Sequence, residues 1–107
     1  MSTSLIQEVE SALYLARYEP TGERADQLRA RLRERIEEFI EPASRYVDAL
    51  PDNRARDVAT STVTYAGRLV TMAGPFDPVA ELRLLAGSAE AVSVYAAPRD
   101  RTPRMRE

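Results

Sequence analysis

Residues 31–51 read RLRERIEEFIEPASRYVDALP, and how this stretch is read decides the fold. A proline, Pro42, sits in the middle of a pattern that otherwise repeats every 3.6 residues. At 100° per residue, Ala25, Leu28, Leu32, Ile36, Phe39, Ile40, Ala43, Tyr46, Val47 and Leu50 fall within an arc of about 120°. The stripe keeps its phase through Pro42, which lies at the edge of the polar side. A break into two helices just before the proline is the rival reading, because the residue preceding proline avoids the α region. Preserved phase favours one helix over residues 23–50, kinked at Pro42, with the freed Glu38 carbonyl hydrated. Pro51 ends it.

Three more helices follow from the same period on either side. Residues 5–17 begin with a capping-box pattern, Ser4 with Gln7, and present Ile6, Val9, Leu13 and Ala16, widened by Leu5 and Ala12. Pro20 and Gly22 stop this helix. Asp52 or Asn53 caps a third helix over residues 54–73, with Ala55, Val58, Ala59, Val63, Ala66, Leu69, Val70 and Ala73 inward. Its run TSTVT favours strand locally, but helical spacing over five turns outweighs that preference. GPFDP supplies Gly74 as a helix stop, Asp77 as a cap and Pro78 as the first helical residue. Residues 78–97 then face inward with Val79, Leu82, Leu85, Ala86, Ala89, Val92 and Ala96. Short connections predict an all-α up-down bundle in one domain, residues 1–97, with an Arg-rich disordered tail over residues 98–107. The second helix, about 40 Å at 1.5 Å per residue, is longer than its partners, and an uncovered end would invite self-association.

Composition removes whole classes of chemistry. The 107 residues contain no His and no Cys, which excludes imidazole acid–base catalysis, thiolate nucleophiles, disulfides and the common transition-metal sites. No metal or other cofactor is expected. No glycine-rich loop follows a strand, so there is no phosphate-binding loop. All 15 basic residues are arginine, a bias that suggests a GC-rich bacterial genome such as an actinomycete's. The N-terminal MSTSLIQEVE has no basic segment followed by an apolar one, and no apolar run reaches the roughly 18 residues of a membrane span. The expected compartment is the cytoplasm. Net charge is −2, with +2 on the last ten residues and −4 on the rest, so the folded part lacks the basic face duplex DNA requires.

The charged residues of the opening stretch read as helix chemistry. Glu34, Glu37, Glu38 and Glu41 oppose the apolar stripe, while Arg31, Arg35 and Arg45 line one flank of it and Arg29 and Arg33 the other. Pairs three or four apart (Arg33 with Glu37, Glu41 with Arg45, Arg31 with Glu34, Arg35 with Glu38) each stabilise a helix by about 0.2–0.5 kcal/mol. Every helix is expected to keep its acids off its apolar stripe, which leaves no inward carboxylate for catalysis.

From about Leu28 to Ala96 the chain resembles a family of small, all-helical actinomycete proteins of unknown function, found mainly in Streptomyces and its relatives. The resemblance is carried by LRARLRERIEEFIEPA, by the turn ALPDN and by ARDVATSTVTYAGRL after it. Some members carry the label of natural product biosynthesis. The family pattern has a Gly-His-Ile triplet where this chain has Glu34, Arg35 and Ile36, so any role of that histidine is absent here.

Three functions are compatible with these features. The favoured one is a non-catalytic interaction or accessory module, self-associating or bound to a protein partner, with Leu5, Tyr14, Tyr18, Arg31 and Arg35 as its contact surface. The second is a small-molecule-binding or enzyme-like accessory protein of natural product biosynthesis. Small inward residues (Ala59, Ala66, Ala86, Ala89) would open its apolar pocket, although such residues more often mark close helix approach. The third is nucleic-acid contact through Arg99, Arg101, Arg104 and Arg106, which four arginines without aromatics would make weak and salt-sensitive.

Overall fold

The computed structural model describes residues 4–72 and 77–97. Four helices account for most of them: α1 (Leu5–Tyr18), α2 (Glu23–Asp48), α3 (Arg54–Thr71) and α4 (Pro78–Ala96). The described chain is all-α, as the periodicity predicts.

Local chemistry sets the helix starts. Ser4 Oγ accepts from the Gln7 amide at 3.2 Å, and the Ser4 amide donates to Gln7 Oε1 at 3.4 Å, closing the capping box. Asn53, rather than Asp52, caps α3: its Oδ1 accepts from the amides of Ala55 and Arg56. Asp77 Oδ2 accepts from the Ala80 amide at 2.9 Å, with Pro78 at the first helical position. The start of α2 differs, since Gly22 stands at its N-cap with φ +111° and no side-chain cap, a backbone conformation that suits glycine. The proposed stop at Gly74 lies outside the described residues.

α2 runs unbroken through Pro42, so the preserved phase of the apolar stripe was the right guide. The β-branched run in α3 is helical as well. There the Thr62 hydroxyl donates to the Val58 carbonyl at 3.0 Å, a back-bond to the preceding turn that satisfies the hydroxyl within the helix.

α2 and α4 form the spine of the molecule. α4 packs against all three other helices, whereas α1 and α3 lie on either side of the spine and do not pack on each other. The body measures 47 × 30 × 19 Å, about two helix diameters thick. Its core is built from Leu32 and Ile36 of α2, Leu69 of α3 and Leu82, Leu85 and Val92 of α4, all essentially fully buried. Ala59, Ala66, Ala86 and Ala89 are also buried, in keeping with close helix approach.

Two sequence expectations are corrected here. α2 is covered near both ends: Ala25 and Val47 are buried, and the Tyr46 ring stacks on Tyr95 of α4 with centroids 6.0 Å apart. Its length therefore exposes no apolar end to a partner. α1 is rotated about its own axis relative to its expected stripe. Glu8, Val9, Ala12, Leu15 and Ala16 face inward, while Ile6 and Leu13, expected in the core, are 70% and 48% exposed.

Candidate functional site

The rotation of α1 follows from a carboxylate. Glu8 is only 3% exposed, and two arginines from α2 meet it. Arg31 Nε lies 2.8 Å from Glu8 Oε2; Arg35 donates through Nε to Oε1 at 2.8 Å and through Nη2 to Oε2 at 3.1 Å, a forked grip. Being four residues apart, Arg31 and Arg35 project from one flank of α2 and close on the same acid. Burial pushes the Glu8 carboxyl up. The hydrogen bonds from Arg35 and Arg31 and their charge attraction outweigh that and hold it below the usual carboxylate range. Glu8 in turn raises the Arg35 guanidinium above its ordinary value, against the cost of burial.

The other flank of α2 repeats the device on α4. Arg29 and Arg33, again four apart, meet Glu81, with Arg33 Nη2 2.7 Å from Oε2 and Arg29 Nε 2.9 Å from Oε1. The Arg29 Nε contact is an ion pair without hydrogen-bond alignment, so this buried nitrogen has charge attraction but no aligned acceptor. The rest of the Arg29 guanidinium is well supplied. It donates to Asp26 Oδ1 at 3.0 Å, to the Pro20 carbonyl in the α1–α2 connection and to the Pro78 carbonyl at 3.1 Å. Arg29 thus ties the loop, α2 and the start of α4 together.

These clamps correct the expectation that the acids keep off the apolar faces and that the charges of α2 form a solvated surface only. Arg31 and Arg33 reach across to other helices instead of lying along their own. The Glu41–Arg45 pair does form along α2 at 3.1 Å, with both side chains largely exposed, and Arg35 also approaches Glu38 at 3.8 Å. The sequence signal for the clamps was present in the two i,i+4 arginine pairs that straddle the stripe, but nothing local named their partners.

The remaining surface of α1 is apolar and aromatic. Tyr14 and Tyr18, 57% and 63% exposed, pack ring to ring at 4.9 Å, and the Arg17 guanidinium lies 5.5 Å from the Tyr18 centroid. With Ile6 and Leu13 they leave one side of α1 without cover from the other described residues. Leu5, also predicted for this surface, packs against the core instead. Arg31 and Arg35 lie on the opposite side of α1 from this patch, engaged with Glu8, so the predicted contact residues do not form one surface. An open cleft of about 430 Å³ between α1 and α2 is lined by Glu8, Ser11, Leu15, Arg24, Gln27, Leu28 and Arg31. Its walls are mixed, and its charged residues are those of the clamp.

Among the described residues, no three His, Cys, Asp or Glu side chains gather to hold a metal, and no helix is long and apolar enough to cross a membrane. Arg99, Arg101, Arg104 and Arg106 lie outside the described residues. A family model described as Family of unknown function (DUF6415) matches residues 4–100. The chain belongs to this family. The match spans all four helices and assigns DUF6415 no activity. No curated protein and no solved structure matches the chain.

Proposed function

We propose that the protein is a non-catalytic interaction module that associates with itself. The observation that carries this reading is the placement of large apolar side chains on the outer faces of three helices. Ile6, Leu13, Tyr14 and Tyr18 stand exposed on α1; Val58 and Tyr65 on α3, with Met72 just past its end; Leu84 and Val94 on α4. Scattered apolar residues are normal on a protein surface, but faces of this kind mark sites of association. The charged groups that could have served chemistry are held in contacts between helices: Glu8 by Arg31 and Arg35, Glu81 by Arg29 and Arg33. An accessory role in natural product biosynthesis, in the cytoplasm of an actinomycete, is the setting we infer from the family resemblance and the all-arginine basic composition.

Light scattering over a dilution series of the full-length chain tests the proposal. The expected result is a mass of twice the 12.0 kDa chain that falls only at the lowest concentrations. A mass of one chain throughout would remove self-association.

A further inference from the structure

Of the exposed apolar faces, that of α4 has the order of a seam. Ala80, Leu84, Gly87, Ala91 and Val94 follow one another at intervals of four, three, four and three residues, the a/d alternation of a coiled-coil stripe. They lie on the side of α4 opposite its buried residues Leu82, Leu85, Ala86, Ala89 and Val92. Ala80 and Gly87 are exposed, Leu84 is 37% and Val94 66% exposed, and Ala91 is half-buried. A Cβ built on Gly87 would meet nothing within 4 Å. α4 is therefore apolar on two sides, and among the described residues only one of them is covered. The exposed residues of α1 and α3 show no such alternation: on α3, polar Ser61 and Thr62 separate Val58 from Tyr65, and Arg68 follows before Met72, which lies past the helix end.

We infer that this face binds the same face of a second copy of the chain, with the two α4 helices antiparallel. This rests on the self-associating reading above and names its surface. Charge complementarity selects both the occupant and its direction. Arg83 and Glu90 flank the stripe on one side, seven residues apart, both exposed and neither in an ion pair with the described residues. In an antiparallel pair, like flanks meet, so Arg83 of each copy faces Glu90 of the other and two ion pairs form by symmetry. In a parallel pair the same flank would meet Ser88 and Tyr95, which face the chain's own core and carry no charge. The antiparallel register seats Leu84 against Gly87 of the second copy and Ala91 against Ala80, so the bulkiest residue of the central stripe meets the open space at the glycine. Such a contact is isologous, each residue meeting its counterpart by a twofold axis, and it closes as a dimer.

Light scattering and sedimentation of the full-length wild type and four variants decide the matter. Arg83→Glu and Glu90→Arg each place like charges across the seam at two symmetric points, and each should raise the dimer dissociation constant about tenfold. The double variant R83E/E90R restores opposite charges and should return it to near the wild-type value. Gly87→Glu fills the space Leu84 needs and should give a monomer. All three altered positions, Arg83, Gly87 and Glu90, are exposed, so an unchanged helical circular dichroism spectrum confirms folding. A dimer that none of these changes weakens overturns the α4 seam and leaves self-association standing through another face. A wild-type chain that is monomeric throughout overturns both.

Discussion

Arg31 and Arg35 on one flank of α2 grip Glu8 of α1, and Arg29 and Arg33 on the other flank grip Glu81 of α4, yet the two clamps bury opposite charges. In the first the carboxylate is hidden, at 3% side-chain exposure, and its arginines remain partly wet at 43% and 20%. In the second the arginine is the most hidden member, Arg29 at 9%, with Glu81 at 16%. A hidden carboxylate can be neutralised by acid. A hidden guanidinium must be satisfied by acceptors, here two of them backbone carbonyls. The α1–α2 contact is therefore a pH-sensitive joint, and Arg29 is a tie that joins the α1–α2 connection, α2 and the start of α4.

The largest effect is expected from stripping the first clamp of its cations. Arg31→Met with Arg35→Met leaves a buried carboxylate without a partner, and urea unfolding at pH 7 should show a loss of about 3–5 kcal/mol. Adding Glu8→Leu should recover most of it, because removing all the charges also removes the desolvation cost. Failure of that rescue would mean the clamp does more than offset the burial of Glu8.

Arg29→Met comes next, with an expected loss of about 1.5–3 kcal/mol from hydrogen bonds to a charged group. Hydrogen exchange should quicken at Thr21 and Val79, beside the carbonyls that Arg29 holds. An effect confined to Glu81 would reduce the tie to a simple ion pair.

The pH contrast is a finer test. Because the folded Glu8 carboxyl titrates below its unfolded value of about 4.3, its stabilisation is complete above that value and is lost as pH falls towards the folded one. The wild type should therefore lose more stability between about pH 6 and pH 3 than Glu8→Gln does, so their urea midpoints converge in acid. Parallel curves would show that the pairing does not depend on the Glu8 charge.

The smallest effects provide the baseline. Asn53→Ala, which removes one helix cap, should cost about 1 kcal/mol. Glu41→Gln, which breaks an exposed pair within α2, should cost about 0.3–0.5 kcal/mol. If Glu41→Gln matched the loss in the Arg31/Arg35 double variant, the distinction between pairs within and between helices would vanish.

Much of the architecture was legible along the chain. Ser4 with Gln7, Asn53, and Asp77 with Pro78 announced three helix starts, because a cap and its amides lie within four residues of each other. Pro42 was readable as internal to a helix because stripe phase is also a local property. The rotation of α1 was not readable. Its apolar residues alone favour turning Ile6 and Leu13 inward, and the structure turns Glu8 inward instead. That choice depends on arginines 23 and 27 residues away in sequence.

The candidate site divides in the same way. The flanking arginines were readable from their positions beside the stripe of α2. The i,i+4 spacing of Tyr14 and Tyr18 fits a stripe edge packed on the core as well as an exposed aromatic patch, and only the packing shows both rings exposed. That these arginines are structural, that Leu5 belongs to the core and that the uncovered face of α4 is itself patterned all emerged with the packing. The amino-acid sequence by itself determined the helices, their ends and the chemistries ruled out, since propensity, capping and residue types act within a few residues. Only the tertiary structure decided which faces meet, because a charge enters a protein interior where a partner from another segment is waiting, and no helix carries that partner within itself.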